Sequence, residues 1–284
     1  EDFIIRSEEY GVPQRRHRLI ILGVNVKFLK NNPDRFPGFI PKQSGTVSLE
    51  QVIADLPTIR SAPSRPSGSF QDWCATLAEL ADMPINLIQP SLFDDTQDFA
   101  SVKDIIRSSI TSASESDRGS GGSYVGYSGK PEYNPAGWYR DGRQKGITNH
   151  ESRTHMRSDL QRYLFSSSFA AALGRTPTLR DFPEELMPDH KNAAASARNG
   201  HFADRFRVQL RDRPATTITS HISKDGHYFI HFDPAQCRSL TVREAARIQT
   251  FSDDYHFEGP RTEQYRQVGN AVPPYLAYQI AGVV

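Results

Sequence analysis

The chain has only two cysteines in 284 residues, Cys74 and Cys237. So few exclude a disulfide framework and any zinc cluster built on cysteine. They make a reducing, cytoplasmic setting the expectation. No apolar run is long enough to span a bilayer, and LIILGV at residues 19–24 is far too short. No basic-then-apolar leader opens the chain. It begins with Glu rather than Met, so the true start is to be sought upstream. Net charge is only +1, which does not advertise an acidic partner, although a whole-chain sum can hide a basic face.

The polar content is more telling. Arginines outnumber lysines roughly three to one. Either a GC-rich coding sequence inflates them, or arginine serves here as the planar, bidentate reader of phosphate and guanine. A mean hydropathy of -0.57 and a mass of 31.9 kDa describe a soluble, rather polar protein that can bury one or two cores.

Leu19 to Val24 is a short, β-branched apolar run that predicts a strand buried on both faces. A single such strand implies a sheet completed by something outside the chain. Between Asn25 and about Ser101 the sequence is irregular and proline-rich. Within it, VSLEQVIADLP predicts a short amphipathic helix with Val47, Leu49, Val52, Ile53 and Leu56 on one side and Pro57 as its stop. Ser108 to Gly146 is rich in Ser, Gly and Tyr and is expected to form one or more long loops. Its Tyr124, Tyr127, Tyr133, Trp138, Tyr139, Arg140 and Arg143 could stack and hydrogen-bond with a ligand, or the stretch could be a plain disordered insertion. Ser158 to Leu173 predicts a helix, with Ser158 as N-cap and Gly174 as C-terminal stop. A second short helix is expected over Leu179 to Leu186. DRFRVQL, ATTITSHI and HYFIHF read as strands, with a turn at Ser223 to Gly226. Thr241-Val-Arg-Glu244 is a capping box that opens a helix. Pro273-Pro274 precede a last helix from Tyr275 to Val284 with Leu276, Ala277, Ile280 and Ala281 on its apolar face.

Two short blocks carry candidate chemistry. In Gln14-Arg15-Arg16-His17-Arg18, alternation would point Arg16 and Arg18 the same way, toward a phosphate or a carbonyl oxygen. The same block could also be a solvated turn with ordinary surface arginines. In Gly269-Asn270-Ala271, glycine permits a tight turn ahead of a helix N-terminus, whose amides suit an anion. Neither cysteine is expected to be a nucleophile, which needs an electropositive, accessible setting: Cys74 lies in QDWCATL, on what reads as an amphipathic segment, and Cys237, beside Arg238, sits between the expected strands and the capped helix. His150, His155, His190, His201, His221, His227 and His231 are scattered, with no nearby cysteine or acidic cluster, so no metal site is expected.

Read together, YGVPQRRHRLIILG at one end and RSLTVREAARIQTF…QYRQVGNAVPP at the other resemble a bacterial DNA (cytosine-5)-methyltransferase. More narrowly they resemble its C-terminal part, the target-recognition domain and final motifs. The segment from NHESRTHMRSDLQRYLF to HYFIHFDPAQCRS is similar to the recognition domain of one bacterial branch. The resemblance implies an α/β chain: the C-terminal portion of a Rossmann-like S-adenosylmethionine-dependent methyltransferase fold plus a mixed α+β recognition domain with long loops. It implies residues 1–24 as the last strand region of the catalytic domain, 25–240 as the recognition domain, and 241–284 as helices returning to the catalytic domain. Arg18 would contact the cytosine O2, Arg16 would lie near the nucleophile loop and the DNA backbone, and Gln14 would fix the block. Asn270 and Ala271 would help bind S-adenosylmethionine, and Thr217 would contact DNA phosphate, with Arg140 and Arg143 as further DNA contacts. Arg238 and the LTVREAARIQ segment would anchor one domain to the other. In this family the glycine-rich cofactor loop, the Pro-Cys nucleophile and a Glu-Asn-Val segment precede the QRRHR block, so the nucleophile is expected outside this chain.

The partners implied are double-stranded DNA and an N-terminal catalytic half, in cis or as a separate subunit, with no membrane and no metal. The location implied is the bacterial cytoplasm, at the nucleoid, and restriction-modification is the biological setting. Three readings stand: one piece of an active methyltransferase, inactive alone; a stand-alone sequence-specific DNA-binding protein derived from such an enzyme; and a structural remnant.

Overall fold

Helices carry most of the regular structure, and the strands are short and paired two by two. The computed structural model describes residues 4–31, 39–64, 68–82, 96–188 and 205–283. Strand β1 (Ile4–Arg6) pairs antiparallel with β3 (His17–Leu19), and β2 (Gln14–Arg15) lies parallel to β8 (Ala215–Thr216). Strand β4 (Ala62–Pro63) lies parallel to β7 (Thr154–His155), and β5 (Gly121–Gly126) forms an antiparallel pair with β6 (Gly146–Glu151). Among the described residues no sheet has more than two strands. The helices are α1 (Val26–Asn31), α2 (Glu50–Ile53), α3 (Phe70–Asp82), α4 (Thr96–Ser114), α5 (Arg157–Leu173), α6 (Val242–Ile248), α7 (Arg261–Asn270) and α8 (Pro274–Ala281). The chain is thus a mixed α/β protein.

One hydrophobic core runs from Val47 to Val268. Helix α5 is its spine. Helices α3 and α4 pack on it, and Phe165, Phe169, Phe182 and Phe206 form an aromatic cluster beside it. Every residue from Asp159 to Ala170 is buried, so the polar ones need partners. Arg162 meets Asp159 at 2.9 Å and the Leu186 carbonyl at 2.8 Å. Helix α6 is buried along its whole length. Its capping box forms as expected: the Glu244 amide donates to Thr241 Oγ1 at 3.1 Å, and the Thr241 amide donates to Glu244 Oε2 at 2.7 Å. Such a cap stabilises a helix by about 1 kcal/mol.

Several local expectations hold. Val47, Leu49, Val52, Ile53 and Leu56 are buried around α2, although the helix itself is a single turn. Gly174 closes α5 in the left-handed region at φ 64°. Others need correction. LIILGV is not a buried strand: β3 ends at Leu19, and Ile21 is 82% exposed, because no described element packs over it. Ser108 to Gly146 is loop only in part, at 115–120 and at 127–145 around a 3-10 turn at Pro135–Gly137. Helix α4 continues to Ser114, with Val102, Ile106 and Ala113 buried at helical spacing, and β5 pairs with β6. Ser158 is not the N-cap of α5; Met156 is, without a side-chain hydrogen bond. Leu179 to Leu186 forms two separate 3-10 turns, Leu179–Asp181 and Glu184–Leu186. The three expected strands near 205–232 shrink to β8 and two isolated bridges, and Ser220–Ser223 is a 3-10 turn. Side chains satisfy this backbone where a ladder would have done so: Thr216 N–H donates to Gln209 Oε1 and Ile218 N–H to Gln14 Oε1. On α8, Leu276 is buried but Ala277 and Ala281 are exposed. His190 and His201 lie outside the described residues.

Candidate functional site

The QRRHR block grips the segment from Ala215 to Ile218. Strand β2 pairs Gln14 with Ala215 and Arg15 with Thr216, and the Ala215 amide donates to the Pro13 carbonyl at 2.9 Å. Both backbone groups of Ile218 are then taken by side chains. Its N–H donates to Gln14 Oε1 at 3.0 Å, and its carbonyl accepts from Arg16 Nη1 at 2.8 Å. Thr217 Oγ1 donates to the Arg15 carbonyl at 2.6 Å. Ser7 locks the block from behind: its hydroxyl donates to the Gln14 carbonyl at 2.7 Å and accepts the Arg16 amide at 3.0 Å.

This grip separates the three arginines. Arg16 is buried, and burial, with Arg18 nearby, lowers its pKa. Arg18 is exposed and donates to its own neighbour's carbonyl, His17 O, at 2.7 Å. Equal exposure of Arg16 and Arg18 is therefore not what forms, because the strand is interrupted at Arg16 between β2 and β3. Arg15, of opposite parity, is exposed and lines an open cavity of about 530 Å³. Thr216, Thr217, Thr219, His221 and Tyr228 share that lining. The His221 and Tyr228 rings meet edge to face at 5.6 Å. A guanidinium, several hydroxyls and two aromatic edges facing one open cleft suit a phosphate backbone with its sugars or bases. Sequence reasoning named Thr217 but missed Arg15, His221 and Tyr228. The signal for Arg15 was in the block itself: if Gln14 and Arg16 turn inward, period-two alternation sends Arg15 outward.

The second block packs beside the segment that the first block grips. Gly269 lies within α7, close to the 3-10 turn at Ser220–Ser223. A Cβ at Gly269 would overlap the Ser220 amide nitrogen and the Thr219 carbonyl. The glycine is needed for this approach of two backbones. Asn270, next in sequence, is exposed, and Ala271 is half-buried.

The remaining candidates lie elsewhere. Arg140 donates to Asp55 at 3.1 Å and to the Gly129 carbonyl at 2.7 Å, and stacks over the Tyr127 ring at 3.6 Å. Arg143 is on the surface, paired with Asp141. Below them, Arg247 bridges Asp55 and Asp253, each at 2.7 Å. Burial alone would lower its pKa, but these carboxylates outweigh burial and raise it. Arg238 holds Glu244 bidentately at 2.7 Å and keeps that buried carboxylate well below the usual range against its desolvation. Arg243 donates to the carbonyls of Thr148, Ser252 and Tyr255. Cys237 is buried, its thiol donates to the Leu160 carbonyl at 3.0 Å, and burial pushes its pKa up. Cys74 is half-buried on α3. Among the described residues no group of His, Cys, Asp and Glu is placed to hold a metal ion, and no helix is long and apolar enough to cross a membrane.

Comparison with known proteins bears on the same blocks. The chain is similar to the type II methyltransferase M.Bpa9945I of Bacillus paralicheniformis, 34% identical over 281 residues, which is 99% of this chain and 49% of that protein. It is similar to the type II methyltransferase M.DdeI of Desulfomicrobium norvegicum, 25% identical over 98% of this chain and 52% of that protein. A shorter likeness, 42% identical over 83 residues, links it to the type II methyltransferase M.AgeI of Thalassovita gelatinovora, over 29% of this chain and 19% of that protein. The chain spans about half the length of the curated relatives it matches end to end. The expectation that it matches only the C-terminal part of such a protein is overturned by the extent of the family match, which covers residues 3–284 without restriction to the end motifs or the recognition segment. Matched across that whole range, the chain belongs to the C-5 cytosine-specific DNA methylase family.

Proposed function

We propose that this protein serves the methylation of cytosine at carbon 5 in DNA, and that the share of its described residues is to read the duplex. The observation that carries this reading is the cleft between the QRRHR block and residues 216–228. It is open, lined by Arg15, Thr217, Thr219, His221 and Tyr228, and built on a backbone fixed by Gln14 and Arg16. Arg15 and Thr217 meet phosphate, and His221 and Tyr228 meet the sugar or base edges beyond it. Arg18, exposed on β3, is assigned to the O2 of a cytosine swung out of the stack, since carbon 5 cannot be reached inside a duplex. Arg16 acts by holding Ile218 rather than by reaching DNA, and Arg140 by holding Asp55. Arg143 remains at the surface as an outer contact.

S-adenosylmethionine supplies the methyl group when bound. The exposed Asn270 carboxamide, which can donate and accept, fits a contact to its polar groups, with the Ala271 backbone beside it. Neither cysteine is assigned the attack on carbon 6. Cys237 is enclosed with its thiol already donating, and its raised pKa leaves little thiolate. A second reading is a DNA-binding protein derived from such an enzyme, without catalysis.

Two experiments test the proposal. The first measures 5-methylcytosine in the source genome before and after deletion of the coding sequence. Loss of the mark from one sequence context is expected; unchanged marks favour the second reading. The second offers the purified chain duplex DNA and S-adenosylmethionine labelled in the methyl group. Salt-dependent duplex binding is expected. No binding would overturn the DNA-reading role, and label transfer abolished by Cys237→Ser would overturn the assignment of the cysteines.

A further inference from the structure

We propose that Gln249 is a positioning residue: with Gln14 it forms a buried amide relay that ties the DNA-facing segment around Thr217 to the Val268–Ala271 turn. The proposal rests on the DNA-reading role given above to that segment. Both side chains are fully buried. The hydrogen bonds run in one direction. Ile218 N–H donates to Gln14 Oε1 at 3.0 Å, Gln14 Nε2 donates to Gln249 Oε1 at 2.6 Å, and Gln249 Nε2 donates to the Val268 carbonyl at 2.8 Å and reaches Ala271 O at 3.5 Å. Gln14 Nε2 also meets the Ile248 carbonyl at 3.2 Å. Amides aligned head to tail in a buried interior polarise one another, so each bond supports the next. One end of the relay is the amide that follows Thr217. The other is the pair of carbonyls flanking Gly269 and Asn270. The close approach of Gly269 to Thr219 and Ser220 joins the same two segments by an independent contact. The cleft wall and the GNAVPP turn therefore move together, and Gln249, at the end of α6, sets their spacing.

Glutamate at this position gives a diagnostic signature. As a neutral acid it can still accept from Gln14 and donate to the Val268 carbonyl. As a carboxylate it has no donor and faces two carbonyl oxygens. Burial raises its pKa, so the relay is intact at low pH and broken at high pH. The test is the affinity of the full chain for a pool of duplex DNA, as the ratio of variant to wild type, at ~pH 5.5 and ~pH 8, with thermal melts at both. Gln249→Glu should match wild type at the lower pH and bind about tenfold more weakly at the higher. Gln249→Leu should be weakened at both. In that variant the Ile218 amide should exchange with solvent faster than in wild type, while amides in the middle of α5 are unchanged. A ratio for Gln249→Glu near one at both pH values overturns the proposal. So does loss of a cooperative melt at the higher pH, which would make Gln249 a general core residue. If wild type itself does not bind duplex DNA, the DNA-reading role fails instead. The relay is then judged by the Ile218 exchange rate alone, and an unchanged rate overturns it.

Discussion

Two regions of this molecule invert the usual sorting of residues. Around α6 the arginines are inside: Arg238 is 1% exposed, and Arg243 and Arg247 are 0%. At the N-terminal end the aliphatics are outside: Leu19, Ile20, Ile21 and Leu22 are 38–82% exposed. What differs is the supply of partners. Around α6, Glu244, Asp55, Asp253 and a set of backbone carbonyls meet every guanidinium. A charge so met can be buried, but removing one partner is costly. Beyond β3 no described element packs over the aliphatic run, and an uncovered side chain contributes little whatever its hydropathy. Burial is decided by what the rest of the chain brings to a position.

The sharpest way to break this comparison is Arg247→Met. It leaves Asp55 and Asp253 buried without the cation between them, and should cost about 3–5 kcal/mol of stability, read from urea unfolding midpoints. A cost comparable to an ordinary surface change would mean that the arginine centre is incidental.

A pH series sharpens it next. Burial, aided by nearby Arg153, His227 and Arg238, pushes the His155 pKa down to about 3. Burial and Arg238, against the pull of Glu244, push His231 to about 4. Both are neutral when folded and titrate near 6.5 when unfolded, so the unfolded chain binds more protons in between. Stability is therefore complete above pH 6.5 and falls as pH drops toward the folded values, by about 1.4 kcal/mol per pH unit for each histidine. Glu244, with its pKa depressed by Arg238 against burial, adds a loss in the same direction as pH falls below its ordinary value of 4.5. Thermal melts between neutral and mildly acidic pH should show this decline, and His155→Gln should flatten it. A melting temperature constant across that range would contradict the assignment.

The smallest effect is expected at the other pole. Ile21→Ser should change stability by no more than about 0.5 kcal/mol while raising solubility. A loss like that of Arg247→Met would show that the exposed run is covered after all.

The sequence was legible where local chemistry decides. The capping box at Thr241, the stop at Gly174 and the buried face around α2 all follow from a few adjacent residues. It was misleading where distant partners decide. The strand expected over ATTITSHI stops at Thr216 where Gln14 and Arg16, some 200 residues away, take the hydrogen bonds of Ile218. Helix α4 was hidden in a Ser-rich stretch whose Val102, Ile106 and Ala113 carry the period. The candidate site was half legible: its two blocks were found, but the inward turn of Gln14 and Arg16, which puts Arg15 in the cleft, needed the partner strand. Thr250 is a further case. It is a β-branched residue at φ 66°, held there as its carbonyl accepts from Trp138 Nε1 and its hydroxyl from the Tyr275 amide, and no local pattern announces it.

The most direct test of the central claim is the salt dependence of duplex binding by wild type and Arg15→Ala. If the cleft reads DNA, log affinity falls linearly with log salt, and the variant binds more weakly with a slope shallower by about one. Identical slopes and affinities for the two proteins would place the DNA elsewhere and contradict the account.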